Sequence, residues 1–182
     1  MLSQAQRTAL LAIARRAVET QVLGGTPAGD EEVPTLPDAS GVFVTIKRHG
    51  ELRGCLGTLE CRRPLDEEVA RCAADSASED PRFPPVADSE LPDLSLEISV
   101  LGPLEPVDPI DPGDGDAIGI GRHGLVVEQG PHRGLLLPQV AVEWGWTIEQ
   151  FLSQTCRKAT LPEDAWRHGA AVFRFEAEVF GE

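Results

Sequence analysis

Between Leu94 and Val100 the chain alternates without interruption, with Leu94, Leu96, Ile98 and Val100 apolar and Ser95, Glu97 and Ser99 polar. Successive side chains of a strand point to opposite faces, so this spacing predicts a half-buried strand with one face on a core and one in water. Such a strand needs neighbours and a covering layer. Gly41 to Lys47 supplies one neighbour, with Val42, Val44 and Ile46 set against Phe43 and Thr45. Ala171 to Phe180 supplies another, with Phe173, Phe175, Ala177 and Val179 set against Arg174, Glu176 and Glu178.

The covering layer is also legible. Ser3 followed by Gln6 is a capping box, and the helix it opens is expected to run to about Leu23. Pro64 suits a first helical turn, and Asp66, Glu67 and Glu68 favour its positive end. Leu65, Val69, Cys72 and Ala73 then form an apolar stripe that should end before Asp80-Pro81. Thr147 and Gln150 open a further helix carrying Ile148, Phe151, Leu152 and Cys156, and Lys158 suits its negative end.

Gly and Pro punctuate the rest. His49-Gly50 reads as a turn, residues 24–37 as an acidic connector and residues 102–116 as a loop. Ile118 to Glu128 reads as a hairpin pivoting on Gly121-Arg122-His123-Gly124. Gly130 to Gly134 reads as a second turn leading into a short strand at Leu135-Leu136-Leu137. Hairpin turns imply mostly antiparallel pairing, so the expected class is α+β: a largely antiparallel sheet with helices packed on it, plus a smaller second lobe. One domain over 1–182 is expected, with a larger lobe from the N- and C-terminal parts and a smaller one from the middle.

Net charge is −14, which repels nucleic acid unless cations cluster. No apolar run approaches the roughly 20 residues of a membrane helix, and the first residues read as an amphipathic helix rather than a signal peptide. A cytoplasmic protein without a membrane partner is expected. The spacings of Cys55, Cys61, Cys72 and Cys156 suit neither a disulfide framework nor zinc, and His49, His123, His132 and His168 are scattered. No metal and no cofactor are expected. Each cysteine is either a small buried hydrophobe or a reactive thiol.

The chemistry concentrates in Leu52-Arg53-Gly54-Cys55-Leu56-Gly57. Glycines this close together mark a bulge or a close backbone approach, and the amides beside Gly54 and Gly57 could receive an anion. Strand alternation would put Arg53 and Cys55 on one face, where a guanidinium activates a thiol. Alternatively Cys55 is a packed side chain on a bulged strand. Asp80-Pro81-Arg82-Phe83 either presents Arg82 to a carboxylate or phosphate or closes a helix end with an Asp–Arg bond. His123 is a candidate acid or base. Leu137-Pro138-Gln139 leads to Trp144 and Trp146, which either stack on a ligand ring or are buried at a helix entry.

Taken in order, these stretches resemble the AMMECR1 family. The resemblance rests on Leu52 to Gly57, Asp80-Pro81-Arg82-Phe83-Pro84-Pro85-Val86, Leu96 to Leu101, Gly124-Leu125, Leu135 to Val140, Gly145-Trp146 and Thr155-Cys156-Arg157-Lys158-Ala159. Leu56 stands where the family usually has isoleucine. Thr160 stands where it usually has glycine, which puts a glycine cap on the preceding helix in doubt. The resemblance implies two lobes with a groove between them and the Arg-Gly-Cys motif near it. It also implies partners, a radical S-adenosylmethionine (radical-SAM) protein and a Memo-like protein, and a nucleotide, RNA or small molecule as substrate. The candidate set is then Cys55, Arg53 and His123 for chemistry, with Gly54, Gly57, Asp80, Arg82, Gln139 and Trp146 for substrate contact. A non-catalytic module that holds a ligand or partner protein is the alternative.

Overall fold

The computed structural model describes residues 1–25, 34–107 and 117–182. Parts of the expected connector (24–37) and loop (102–116) lie outside the described residues. The class is α+β, and every described strand pair is antiparallel. The chain divides into two compact units, Met1–Leu101 with Glu178–Glu182, and Gly102–Ala177.

In the first unit β1 (Gly41–Arg48) lies between β2 (Glu51–Thr58) and β3 (Leu94–Leu101), with Val44 opposite Leu56 on one side and Ile98 on the other. The β1–β2 hairpin turns on His49 and Gly50, at φ 53° and 83°. Two successive left-handed residues match the right-handed twist of the flanking strands. Val42, Val44, Ile46, Leu96, Ile98 and Val100 form the buried face. Over it lie α1 (Gln4–Leu23), through Leu10, Ala14 and Val18, and α2 (Leu65–Ser78), through Val69, Cys72 and Ala73. Each buried Val, Leu or Ile side chain among these contributes about 1.5–3 kcal/mol. The expected capping box of α1 is made, and Gly24 closes it at φ 69°. The C-terminal residues bind back onto this unit. Glu178 accepts from Leu2 N and Arg7 Nε, both at 2.8 Å, and Glu182 pairs with Arg15 and accepts from Leu96 N at 3.1 Å.

In the second unit β5 (His123–Gln129) pairs with β6 (His132–Leu136) and with the part of β7 (Ala171–Gly181) up to Ala177, which also pairs with the short β4 (Glu105–Pro106). The core gathers Leu125, Val127, Phe151, Leu152, Cys156 and Val172 under α4 (Ile148–Lys158). Thr160 takes the left-handed conformation expected of a glycine, at φ 59°. Its N–H reaches Arg157 O at 2.9 Å and Leu161 N–H reaches Cys156 O at 2.9 Å, so α4 has a complete Schellman cap without glycine.

Several expectations are corrected here. Residues 117–122 form a turn rather than the first arm of a hairpin, because Arg122 N and His123 N both bond back to Gly119 O. The second turn is only Gly130-Pro131, and β6 begins at His132. Pro138 opens an unforeseen short helix, α3 (Pro138–Glu143). In β7 the alternation does not leave one wet face: Val172 is in the core, and the Phe175 ring lies where a Cβ on Gly124 would meet it at 2.2 Å.

Candidate functional site

Cys55 lies on β2, the edge strand of the first unit, on the sheet face opposite α2. Its register partner is Thr45, whose hydroxyl donates to Cys55 Sγ at 3.2 Å. Its N–H and C=O turn away from β1. The N–H donates to Asp80 Oδ2 at 2.8 Å, and the C=O accepts from Arg82 Nη2 at 3.2 Å. Arg82 also donates to Asp80 through its own N–H (3.1 Å), Nε (2.9 Å) and Nη2 (2.7 Å). The Asp80-Pro81-Arg82 turn therefore clamps the Cys55 residue from both ends of its backbone. The Asp80 carboxyl is buried, and these donors, Arg82 first, hold it well below the usual carboxylate range.

The glycines are explained by close approach. A Cβ on Gly54 would stand 2.2 Å from Ser76 O, so α2 can seat on β2 only where no side chain intervenes. The Ser76 hydroxyl completes that seat, donating to Val44 O and accepting from Leu56 N, both at 2.8 Å. A Cβ on Gly57 would meet the Phe43 ring at 2.4 Å. The amides of Cys55 and Leu56 are thus already engaged and are not open to an anion. Ser76 falls four residues after Cys72 on the buried stripe of α2, and a polar residue at that position is the sequence signal that could have revealed it.

Arg53 is not brought to the sulfur by alternation. The register moves from Ile46 opposite Gly54 to Lys47 opposite Leu52, which leaves Arg53 as the extra residue of a bulge. Its guanidinium forks onto Glu90 at 2.9 Å twice and donates to Pro84 O and Pro85 O at 3.0 and 3.3 Å. Arg53 and Ala87 N–H together pull the Glu90 carboxyl down to about 2. Arg82 is the cation that does reach Cys55, and the Phe83 ring lies within 5.6 Å of Arg82 and 6.0 Å of Arg53.

All four cysteines are free; Cys72 and Cys156 are buried, and Cys55 and Cys61 are partly exposed. Burial pushes the Cys61 and Cys72 thiols up to about 11 and raises Cys156 as well. Among the described residues no cluster of three or more His, Cys, Asp or Glu side chains could hold a metal ion, and no helix is long and apolar enough to cross a membrane.

His123, Gln139 and Trp146 belong to the second unit. His123 is buried, its Nδ1 accepts from Gly119 N–H at 2.9 Å, and burial, with Arg174 and Arg122, lowers its pKa. It locks the 119–123 turn. Gln139 is exposed on α3. Trp146 is half-buried against Phe151, with ring centroids 6.4 Å apart, and Trp144 stacks on it at 6.2 Å and 17°. Of the two readings of Trp144, burial at a helix entry does not hold, since it is 71% exposed.

Residues 11–180 match the family model described as AMMECR1. A protein of Thermococcus onnurineus is 46% identical over 181 residues, covering 95% of this chain and 88% of that one. A Methanothermobacter thermautotrophicus protein is 45% identical over 188 residues, covering 100% and 96%. The crystal structure of the uncharacterised protein PH0010 from Pyrococcus horikoshii is similar, with a TM-score of 0.84 at 41% identity over 100% of this chain and 93% of that one.

Proposed function

The chain belongs to the AMMECR1 family, and from that premise we propose that it is the thiol-bearing component of a cytosolic modification system, with Cys55 as the reacting sulfur. The observation that carries this reading is the Cys55 geometry. A partly exposed sulfur sits on a backbone fixed at both ends by a buried carboxylate and a guanidinium, and a hydroxyl donates to it. Preorganised donors of this kind stabilise negative charge that develops during reaction. Asp80 and Arg82 act as positioning residues. The Arg82 side chain is 53% exposed, which leaves it able to meet an anionic substrate as well. The family resemblance supports a radical-SAM protein and a Memo-like protein as partners, and a nucleotide, RNA or small molecule as substrate.

Two measurements test it. Alkylation followed by mass spectrometry should label Cys55 ahead of Cys61, Cys72 and Cys156. Cells carrying Cys55→Ser should differ from wild type in modified RNA or metabolites. A Cys55 that labels no faster than Cys61, or a variant with an unchanged profile, defeats the reading.

A second reading has an observation of its own. Arg53 and two motif amides are fully engaged within the protein, which suits a rigid binding module. On that reading Cys55→Ser keeps partner binding, and Arg82→Ala abolishes it.

A further inference from the structure

The second unit exposes three large apolar side chains close together: Trp144 at 71%, Val142 at 58% and Ile120 at 38%. Their proximity is set by the backbone. Trp146 N–H bonds to Ala141 O at 2.9 Å and Gly145 takes φ 63°, which folds the chain back after α3 and lays the two indoles parallel. Gly121, next to Ile120, lies against Val142, since a Cβ there would meet Val142 Cγ2 at 3.0 Å. Trp146 rests on the buried Phe151 and Trp144 stacks on Trp146, so the platform is supported from below. A rigid indole left uncovered is expensive in water and is characteristic of an interaction surface.

The geometry and charge restrict the occupant. The indole centroids are 6.2 Å apart, whereas a ring inserted between them needs two gaps of about 3.5 Å. A ligand therefore lies on the outer face of Trp144. Glu143, exposed and next to Trp144 in the chain, forms no ion pair among the described residues. The nearby cation Arg122 is already held by Glu176 at 2.7 Å. The chain as a whole carries −14. Phosphate-bearing ligands are repelled from such a face, while a guanidinium or ammonium satisfies Glu143 and the indole face together. The chain makes the same contact internally, with Arg167 over Trp166 at 4.3 Å.

We propose that the Ile120, Val142 and Trp144 face docks a basic segment of a partner protein, with an arginine or lysine on Trp144 and Glu143 and a flanking apolar side chain on Val142 and Ile120. This surface is independent of the Cys55 chemistry. The proposal predicts a protein contact that salt weakens and that nucleic acid does not imitate.

The test titrates the full chain with three probes at about 50 mM salt: a synthetic peptide of alternating arginine and leucine, the same peptide with glutamate for arginine, and a single-stranded RNA oligonucleotide. Tryptophan emission and calorimetry report binding. The basic peptide should bind, Trp144→Ala should weaken it by about tenfold or more, and Glu143→Gln should weaken it less and flatten its salt dependence. Both variants should unfold at the wild-type temperature, because both side chains are exposed. Basic-peptide binding that survives Trp144→Ala, equal binding of the acidic peptide, or RNA binding lost with Trp144 would each overturn the proposal. Self-association that buries Trp144 in sedimentation experiments would overturn it too, by making a second copy the occupant.

Discussion

The Cys55 edge of the first unit and the Trp144 platform of the second are opposites. Around Cys55 nearly every polar group has found a partner within the protein, and what remains for a ligand is a sulfur and part of one guanidinium. Around Trp144 the exposed side chains are mostly apolar, and the neighbouring Glu143 forms no ion pair among the described residues. The first region is built to hold one atom still. The second is built to be covered. Substitutions should therefore be felt as stability at the first and as binding at the second.

The largest expected effect is at Gly54. Alanine there would push a Cβ into Ser76 O, a backbone atom that cannot step aside, so Gly54→Ala should destabilise by about 3 kcal/mol in denaturant unfolding. A loss below about 1 kcal/mol would show that α2 does not seat rigidly on β2.

Next comes Asp80. Replacing it by asparagine removes the charge that Arg82 and the Cys55 amide satisfy, at about 2–3 kcal/mol. The pH dependence has a defined sign. Asp80 and Glu90 are both depressed in the fold, so their contributions are fully present above the ordinary carboxylate range near pH 4 and are lost as pH falls toward 2. Acid unfolding followed by circular dichroism should show this, with the transition shallower in Asp80→Asn. Stability that is flat from pH 5 to about 2 would contradict both pairings.

Thr160→Gly should move stability the other way. A β-branched residue at φ 59° is strained, and glycine removes that strain at a smaller entropic cost. A gain of about 1 kcal/mol is expected, or roughly 2–4 °C in melting temperature. A loss would mean that the Thr160 bond to His132 at 3.0 Å matters more than the strain.

The smallest stability effect is at Trp144. Alanine there should change stability by no more than about 0.5 kcal/mol while removing docking. A large destabilisation would place Trp144 among the structural side chains and erase the contrast between the two regions.

The first unit was the more legible from sequence, and the reason is periodicity. Strict alternation in β1 and β3 and the stripes of α1 and α2 reflect one-sided burial, which leaves a direct imprint on residue order. The second unit was harder to read. β5 is buried at five consecutive positions, and such a strand carries no alternation to detect. Helix α3, six residues long, is too short to show a stripe. At the site, the Arg-Gly-Cys stretch stood out because of its glycines and cation, but the roles inside it did not. A bulge breaks the two-residue rule that would place Arg53 beside Cys55, and only tertiary contacts with Glu90 and Asp80 reveal which guanidinium goes where. The exposure of Trp144 depends on a left-handed Gly145 and a backbone bond to Ala141, neither of which composition encodes.

The clamp on Cys55 has a consequence unrelated to catalysis. β2 borders its sheet, and the outward amide and carbonyl of Cys55 are the groups on which a strand from another molecule would template. Asp80 and Arg82 fill both positions with charge, so the border is closed to sheet extension at Cys55. Protonating or removing Asp80 unseals it, and acid-treated protein or Asp80→Asn should begin to aggregate through β2 before the rest of the first unit unfolds.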